Sequence, residues 1–128
     1  MISITIYKDK MQHYQELTCE GHAGFGYRGQ DVICAAVSML VINTINGIER
    51  FTSDAFTLDT WSDEQQPVKK RRFFAKGNEP EEKNHINLIF TETPSKEAAL
   101  LMDVLVQGLT EMQKEYGDTY MTVHIKEV

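Results

Sequence analysis

The order of two kinds of hydrophobic pattern limits the folds that this chain can adopt. Apolar residues recur at helical spacing in two stretches, residues 31–50 and 95–116. Five further segments alternate apolar and polar residues with the period of half-buried strands: 2–6, 14–20, 56–61, 85–91 and 120–126. Residues 65–83 leave room for one more strand, written in parentheses in the resulting order β-β-α-β-(β)-β-α-β. This order predicts an α+β or α/β fold. Two long helices would pack on a mixed, mostly antiparallel sheet of about five to six strands.

The length and the charge balance narrow the class of protein. With 128 residues, no internal repeat and no linker, the chain is expected to form a single domain over 1–128 that buries its own core. Lysine and arginine number 13 and aspartate and glutamate 19, which gives a net charge of −6. An acidic balance argues against direct nucleic-acid binding and suits a basic protein partner.

The sequence predicts a cytoplasmic protein. Its first residues alternate like a strand, and Lys8, Asp9 and Lys10 follow at once, which is unlike a signal peptide. No run of about 18 apolar residues is found, so no membrane span is expected. In the cytoplasm Cys19 and Cys34 are not expected to form a structural disulfide. Each is therefore core filler, a metal ligand or a reactive thiol.

Local signals mark the ends of the two helices. Asp31 is a candidate N-cap for the first helix, which is predicted to run to about Arg50. Ser95 is a candidate N-cap for the second, and Gly117 fits the position after its last turn, where left-handed backbone is usual. Residues 63–83 include a basic run beside acidic residues and are predicted to be largely an exposed loop.

Residues 21–29 break the strand pattern with a glycine-rich stretch. A segment so rich in glycine is predicted to be a loop, neither strand nor helix. Glycine lets a substrate backbone approach closely and lets a loop move as a lid, so this segment is a candidate substrate-binding or gating loop. Its glycines are Gly21, Gly24, Gly26 and Gly29.

Cys34 is the strongest candidate for chemistry. If Asp31 caps the helix, Cys34 is the third helical residue, where free N–H groups and the helix dipole favour a thiolate. A charged Asp31 would oppose the thiolate, so a cationic partner is needed. His22 lies twelve residues earlier at a strand end, and a loop that folds back could bring it to the sulfur as general base or imidazolium. The first-turn N–H groups are candidates for an oxyanion hole.

Other interpretations of these residues stay open. A cysteine in a buried helix is more often a small hydrophobic residue than a nucleophile. Cys19, His22 and Cys34 could hold zinc, although no fourth ligand is evident and Cys19 is expected to face the core. Leu40 stands where a tyrosine phosphatase needs arginine. No second cysteine follows Cys34 as in zinc deaminases, and no phosphate-binding P-loop is found.

Residues 21–38 resemble the signature of a known protease family. They read Gly-His-Ala-Gly-Phe-Gly-Tyr-Arg-Gly-Gln-Asp-Val-Ile-Cys-Ala-Ala-Val-Ser. This is similar to the pattern of the ribosomal-processing cysteine protease Prp family: G-H-A-G-F, a short spacer, G-x-D, two aliphatic residues and C-A-A-V-S. The chain length and the order of strands and helices are also similar. The order Val32-Ile33 is the one departure within the motif, and it is expected to be harmless.

The resemblance implies a function and a set of site residues. Members of the family remove a short N-terminal extension from a large-subunit ribosomal protein during ribosome maturation, cleaving after a stretch with bulky aromatic residues. Their histidine and cysteine fall on His22 and Cys34, and their aspartate and serine on Asp31 and Ser38. The resemblance also implies a homodimer, no metal or other cofactor, and a glycine loop, with Phe25 in it, that gates the site.

Two alternatives remain beside this interpretation. Asp31 could serve only as the helix cap, and Ser38, one turn after Cys34, could bond only to a helix carbonyl. The same scaffold could also be a noncatalytic ribosome-assembly or protein-interaction module, in which case Cys34→Ala would still support function.

Overall fold

The computed structural model describes residues 1–22, 28–61, 66–67, 83–117 and 119–128. Within these ranges the chain forms six strands and two helices. In chain order they are β1 Ile2–Lys8, β2 Tyr14–His22, α1 Arg28–Phe51, β3 Phe56–Trp61, β4 Gln66–Pro67, β5 Lys83–Phe90, α2 Lys96–Tyr116 and β6 Met121–Glu127.

The six strands form one sheet in the order β4-β3-β5-β2-β1-β6. β1 and β2 pair antiparallel as the predicted hairpin, β6 pairs parallel to β1, and the other pairings of the described strands are antiparallel. The prediction of a mixed, mostly antiparallel sheet with two long helices is therefore confirmed. Most of the segment 63–83 lies outside the described residues; within it, Gln66–Pro67 forms β4.

The core lies between the two helices and one face of the sheet. Ile4 of β1 pairs with Cys19 of β2, which pairs with Ile86 of β5, and all three are buried. Each helix adds a buried row at helical spacing, and each such aliphatic side chain stabilises the fold by about 1.5–3 kcal/mol. The largest fully buried side chains of the helices are Val37, Val41, Ile45, Ile48, Met102, Leu105 and Leu109.

The opposite face of the sheet is polar. On it, the Asn87 side-chain Nδ2 donates to Glu16 Oε2 at 2.9 Å and to Thr18 Oγ1 at 3.2 Å. Two residues along the same strands, His85 Nδ1 lies 3.3 Å from Glu20 Oε2. These pairs cross from β2 to β5 and support the register of the two central strands.

Both ends of α2 carry the caps predicted from the sequence. Ser95 has extended backbone, and its hydroxyl accepts a hydrogen bond from the Ala98 N–H at 3.1 Å. The Ser95 N–H donates to Asp54 Oδ2 at 2.7 Å, which ties the segment after α1 to the start of α2. Gly117 follows the helix with a φ of 84°, and its N–H donates to the Gln113 carbonyl.

The start of α1 differs from the prediction. The helix begins at Arg28 and includes Gly29, so Asp31 is its fourth residue and not its N-cap. The N-cap prediction was wrong because aspartate is favoured both at the cap and within the first turn, where its charge meets the positive end of the helix dipole. The predicted end near Arg50 is confirmed, since α1 ends at Phe51.

α1 is also unusually apolar along its length. Its residues 32–51 form the one helix in the described parts of the chain that is long and apolar enough to cross a membrane. This property depends on length and composition only, and the core helix of a soluble protein can share it. The buried residues Val37, Val41 and Ile45 show that one side of α1 belongs to the core.

Candidate active site

Cys34 lies in the second turn of α1, as the seventh residue of the helix. It shares a helix side with Val37 and Val41, which are fully buried, and it is itself half-buried and packed against the core. The prediction that Cys34 stands in the first turn was wrong because α1 starts earlier. The N–H groups left unbonded by the helix ladder belong to residues 28–31, three to six positions before the thiol. Any support for a thiolate from the helix dipole is correspondingly weaker, since that effect fades beyond the first turn.

α1 starts at the end of the sheet where β2 stops and returns the chain along the sheet. β2 and β3 both pair antiparallel with β5, so they run the same way, and the helix between them must run back along the sheet. The six steps from Arg28 to Cys34 rise about 9 Å, while three residues of strand span about 10 Å. Cys34 is therefore expected toward the end of the sheet at which β2 stops, the end that carries His22.

His22 is the last residue of β2 and pairs with Lys83 of β5. The five residues 23–27 connect it to α1. Its imidazole lies outside the described part of the structure, so the predicted His22–Cys34 pair rests on the backbone positions of the two residues. The strand end and the helix start do place them at the same end of the sheet.

Positions 31, 34 and 38 line one side of α1, because residues three and four apart are neighbours on a helix. Ser38 is half-buried like Cys34. The Asp31 carboxylate lies outside the described part of the structure. The resemblance assigned supporting roles to Asp31 and Ser38, and the helix brings both positions beside Cys34.

Two of the four glycines assigned to the predicted loop lie in regular elements instead. Gly21 belongs to β2 and Gly29 to α1. A Cβ on Gly21 would lie 2.9 Å from the Ile2 Cα, so this glycine is required by the close approach of β1 rather than by a mobile loop. Gly24, Phe25 and Gly26 lie outside the described residues.

Cys19 lies on the buried face of β2, as predicted. The sequence linked it with Cys34 only through the zinc hypothesis, not through packing of the two thiols at one interface. Burial raises the pKa of the Cys19 thiol to about 12, and the nearby negative charges of the Cys34 thiolate and Glu20 add to that effect. Cys19 therefore stays protonated at neutral pH and is not the nucleophile. The signal that could have linked the two cysteines is the alternation of β2, which points Cys19 at the face that α1 covers.

The described residues contain no group of three histidine, cysteine, aspartate or glutamate side chains able to hold a metal ion. The zinc hypothesis also involves His22, whose side chain is outside that set. The burial of Cys19 in the core is the feature that argues against it.

A half-buried cysteine in the second turn of a helix and a histidine at the end of the preceding strand are residue types that thiol-dependent enzymes use. Residues 1–121 match the model of the family described as "Cysteine protease Prp". The chain belongs to the Prp family of cysteine proteases.

Comparisons with individual proteins agree with this family. The ribosomal processing cysteine protease Prp of Staphylococcus aureus strain Mu50 is 21% identical over 118 residues, which cover 92% of this chain and 93% of the relative. A crystal structure of the Prp protease from S. aureus with a substrate peptide has a TM-score of 0.75 and 19% identity. A second, with a covalently linked product peptide, has a TM-score of 0.69 and 22% identity. Each superposition covers 98% of this chain and 99% of the other. At these identities the two structures establish the shared fold.

Proposed function

We propose that this chain is an endopeptidase with Cys34 as its nucleophile and His22 as its general base and acid. Its substrate would be the precursor of a large-subunit ribosomal protein, from which it removes a short N-terminal extension. The observation that carries the proposal is the family match over residues 1–121. It is supported by a half-buried Cys34 in the second turn of α1, the helix that follows the strand ending at His22.

The reaction needs only groups of this chain and water. His22 takes the thiol proton, and the Cys34 sulfur attacks the carbonyl carbon of the scissile peptide. The carbon–nitrogen bond then breaks, His22 returns the proton to the leaving amine, and a thioester remains on Cys34. Water, losing a proton to His22, attacks the thioester, and the carbon–sulfur bond breaks to release the acid product. The covalently linked product peptide in the S. aureus relative fits covalent catalysis of this kind.

The choice of substrate rests on the relatives and on charge. The S. aureus relative is a ribosomal processing protease, and one of its structures holds a substrate peptide. Ribosomal proteins are basic because they bind RNA, and the net charge of −6 on this chain is complementary to them. A cytoplasmic location, where ribosomes mature, is part of the same proposal.

The proposed homodimer is supported by apolar surface on the helices. Val32 and Met39 of α1 and Leu100 and Val104 of α2 are each more than half exposed. Clusters of exposed apolar side chains mark association surfaces. Sedimentation of the wild type and of Leu100→Glu tests the point: a wild-type monomer at micromolar concentration would contradict the dimer.

A cleavage assay tests the protease itself. Wild type, Cys34→Ala and His22→Ala are each incubated with the extended ribosomal protein precursor, and mass spectrometry identifies the products. The proposal expects one new N-terminus with the wild type and none with either variant. Cys19→Ala is the matched control, because it removes the other thiol and should leave cleavage in place. No cleavage by folded, reduced wild type would support the noncatalytic assembly module instead.

A further inference from the structure

Cys19 has no part in the proposed reaction, yet it lies at the same helix–sheet interface as Cys34. Both cysteines lie in described parts of the chain, and neither forms a disulfide. Cys19 is a member of the buried core cluster, and Cys34 packs against that cluster from α1. The two thiols thus approach one interface from opposite sides, one from the sheet and one from the helix.

The two cysteines also lie at similar distances along their own elements, measured from the connection between β2 and α1. Cys19 lies three residues before the end of β2, about 10 Å back from it. Cys34 lies six residues into α1, which runs back along the sheet and has risen about 9 Å by that point. The Cys34 thiolate is close enough to Cys19 for its charge to raise the pKa of the Cys19 thiol. Both thiols therefore meet the same core cluster, and the charge of Cys34 acts on Cys19 across the helix–sheet interface.

We propose that Cys19 is the resolving thiol of Cys34: when a hydroperoxide oxidises Cys34, the two cysteines form a reversible disulfide that switches the protease off. The loss of activity rests on the proposed function, in which Cys34 is the nucleophile. The formation of the disulfide rests only on the placement of the two thiols.

The chemistry balances with the hydroperoxide as the oxidant. The Cys34 thiolate attacks one peroxide oxygen; a sulfur–oxygen bond forms, the oxygen–oxygen bond breaks, and the leaving alkoxide or hydroxide takes up a proton. The Cys19 sulfur then attacks the Cys34 sulfur. A sulfur–sulfur bond forms, the sulfur–oxygen bond breaks, and the Cys19 proton leaves with hydroxide as water. Two thiols are oxidised by two electrons in all, and the peroxide is reduced.

The coupling between the thiols favours this sequence over attack by Cys19 on the peroxide. Cys34 is half-buried and can meet a small oxidant, whereas Cys19 is buried and protonated. Burial is the main reason that the pKa of Cys19 is raised, and the added effect of the Cys34 thiolate is gone once Cys34 is a neutral sulfenic acid. A disulfide holds its two Cα atoms within about 7 Å of each other, so it would tie the second turn of α1 to β2.

Peptide mapping after oxidation tests the proposal. Reduced wild type is treated with an equimolar amount of hydrogen peroxide and digested with trypsin without reductant. Trypsin cuts after Lys10, Arg28 and Arg50, so Cys19 lies in the peptide 11–28 and Cys34 in the peptide 29–50. We expect these peptides to be linked, with a mass about 2 Da below their sum. We also expect cleavage of the precursor to fall more than tenfold and to recover with dithiothreitol.

Two variants make the result decisive. Cys19→Ala and Cys19→Val both remove the resolving thiol, the second with less loss of packing, and neither touches the proposed nucleophile. In both, an excess of peroxide should carry Cys34 through the sulfenic acid to the sulfinic acid, with one peroxide reduced at each step, and abolish activity in a way that dithiothreitol does not reverse. Wild type under the same excess should still recover with dithiothreitol, because its disulfide withholds Cys34 from the second oxidation. Wild type that behaves like these variants, or that forms only links between two chains, overturns the proposal. Linked peptides from a wild type that never cleaves the precursor would uphold the disulfide and refute the proposed function.

Discussion

The Tyr14 hydroxyl donates a hydrogen bond to the Asp103 carboxylate, with 2.5 Å between the Tyr14 oxygen and Asp103 Oδ1. Tyr14 is the first residue of β2 and is buried, while Asp103 lies in the middle of α2. The bond therefore fastens α2 to the sheet at the end opposite Cys34 and His22. Lys8 Nζ lies 4.7 Å from the centre of the Tyr14 ring and covers it.

Tyr14→Phe should destabilise the fold by about 1–3 kcal/mol, because it removes a hydrogen bond to a charged group while keeping the ring. Urea denaturation at pH 7 measures the change, with Tyr116→Phe on the half-exposed end of α2 as the control. Burial and the Asp103 carboxylate both raise the pKa of Tyr14. The folded pKa is above the unfolded value of about 10, so this stabilisation is complete below pH 10 and is lost as pH rises through the folded pKa. Equal stability of Tyr14→Phe and wild type at pH 7 would contradict the role of this bond.

Gly21→Ala should destabilise the protein by about 1–3 kcal/mol, since its Cβ would lie 2.9 Å from the Ile2 Cα and 3.1 Å from the Met1 carbonyl oxygen. Both neighbours are backbone atoms that cannot rotate away. Gly47→Ala is the matched control, because its nearest neighbour is the Leu101 Cδ1 at 3.8 Å. Within a helix that change should stabilise by up to about 1 kcal/mol. Thermal unfolding of both variants measures the contrast, and a neutral Gly21→Ala would show that β1 can shift.

Asp54→Asn should lower the free energy of unfolding at neutral pH and should have a smaller effect in acid. Burial opposes the charge of Asp54, yet hydrogen bonds from Ser95 and Thr52 outweigh it and lower the pKa of this carboxyl. A carboxyl with a lowered folded pKa contributes stability above its unfolded pKa of about 3.9. That contribution is lost as pH falls through the folded value. Urea midpoints measured from pH 7 down to pH 2.5 should therefore converge for wild type and variant. A constant difference would mean that the charge of Asp54 is not involved.

Ser38→Ala should lower kcat/KM for precursor cleavage by about tenfold if Ser38 supports Cys34, because it lies one turn further on the same side of α1. Asn43→Ala, at an exposed position of α1, is the control. Alkylation of Cys34 by iodoacetamide, followed against pH, separates a direct effect on the thiol from a loss of folding. If both the alkylation profile and kcat/KM are unchanged, Ser38 does not support the reaction of Cys34 and has only a structural role.

The elements of this fold could be predicted because their signals are local. Alternation placed the strands, helical spacing placed the two helices, and Ser95 and Gly117 marked the ends of α2, as the structure confirms. The start of α1 was misplaced by four residues, since aspartate is favoured both at an N-cap and in the turn that follows.

The sequence by itself determined which residues can be apolar core, which helix ends are capped, and, through a long and unusual motif, that His22 and Cys34 are the residues to test. Only the tertiary structure decided that Cys19 and Cys34 meet the same core cluster, that Tyr14 reaches Asp103 and that Gly21 must be glycine to admit Ile2. Hydrophobic periodicity indicates which side of a helix or strand is buried, because the side is set by the spacing of residues close in sequence. It does not indicate which distant residues meet on the buried side, because those contacts depend on strand pairing and on where the helices cross the sheet.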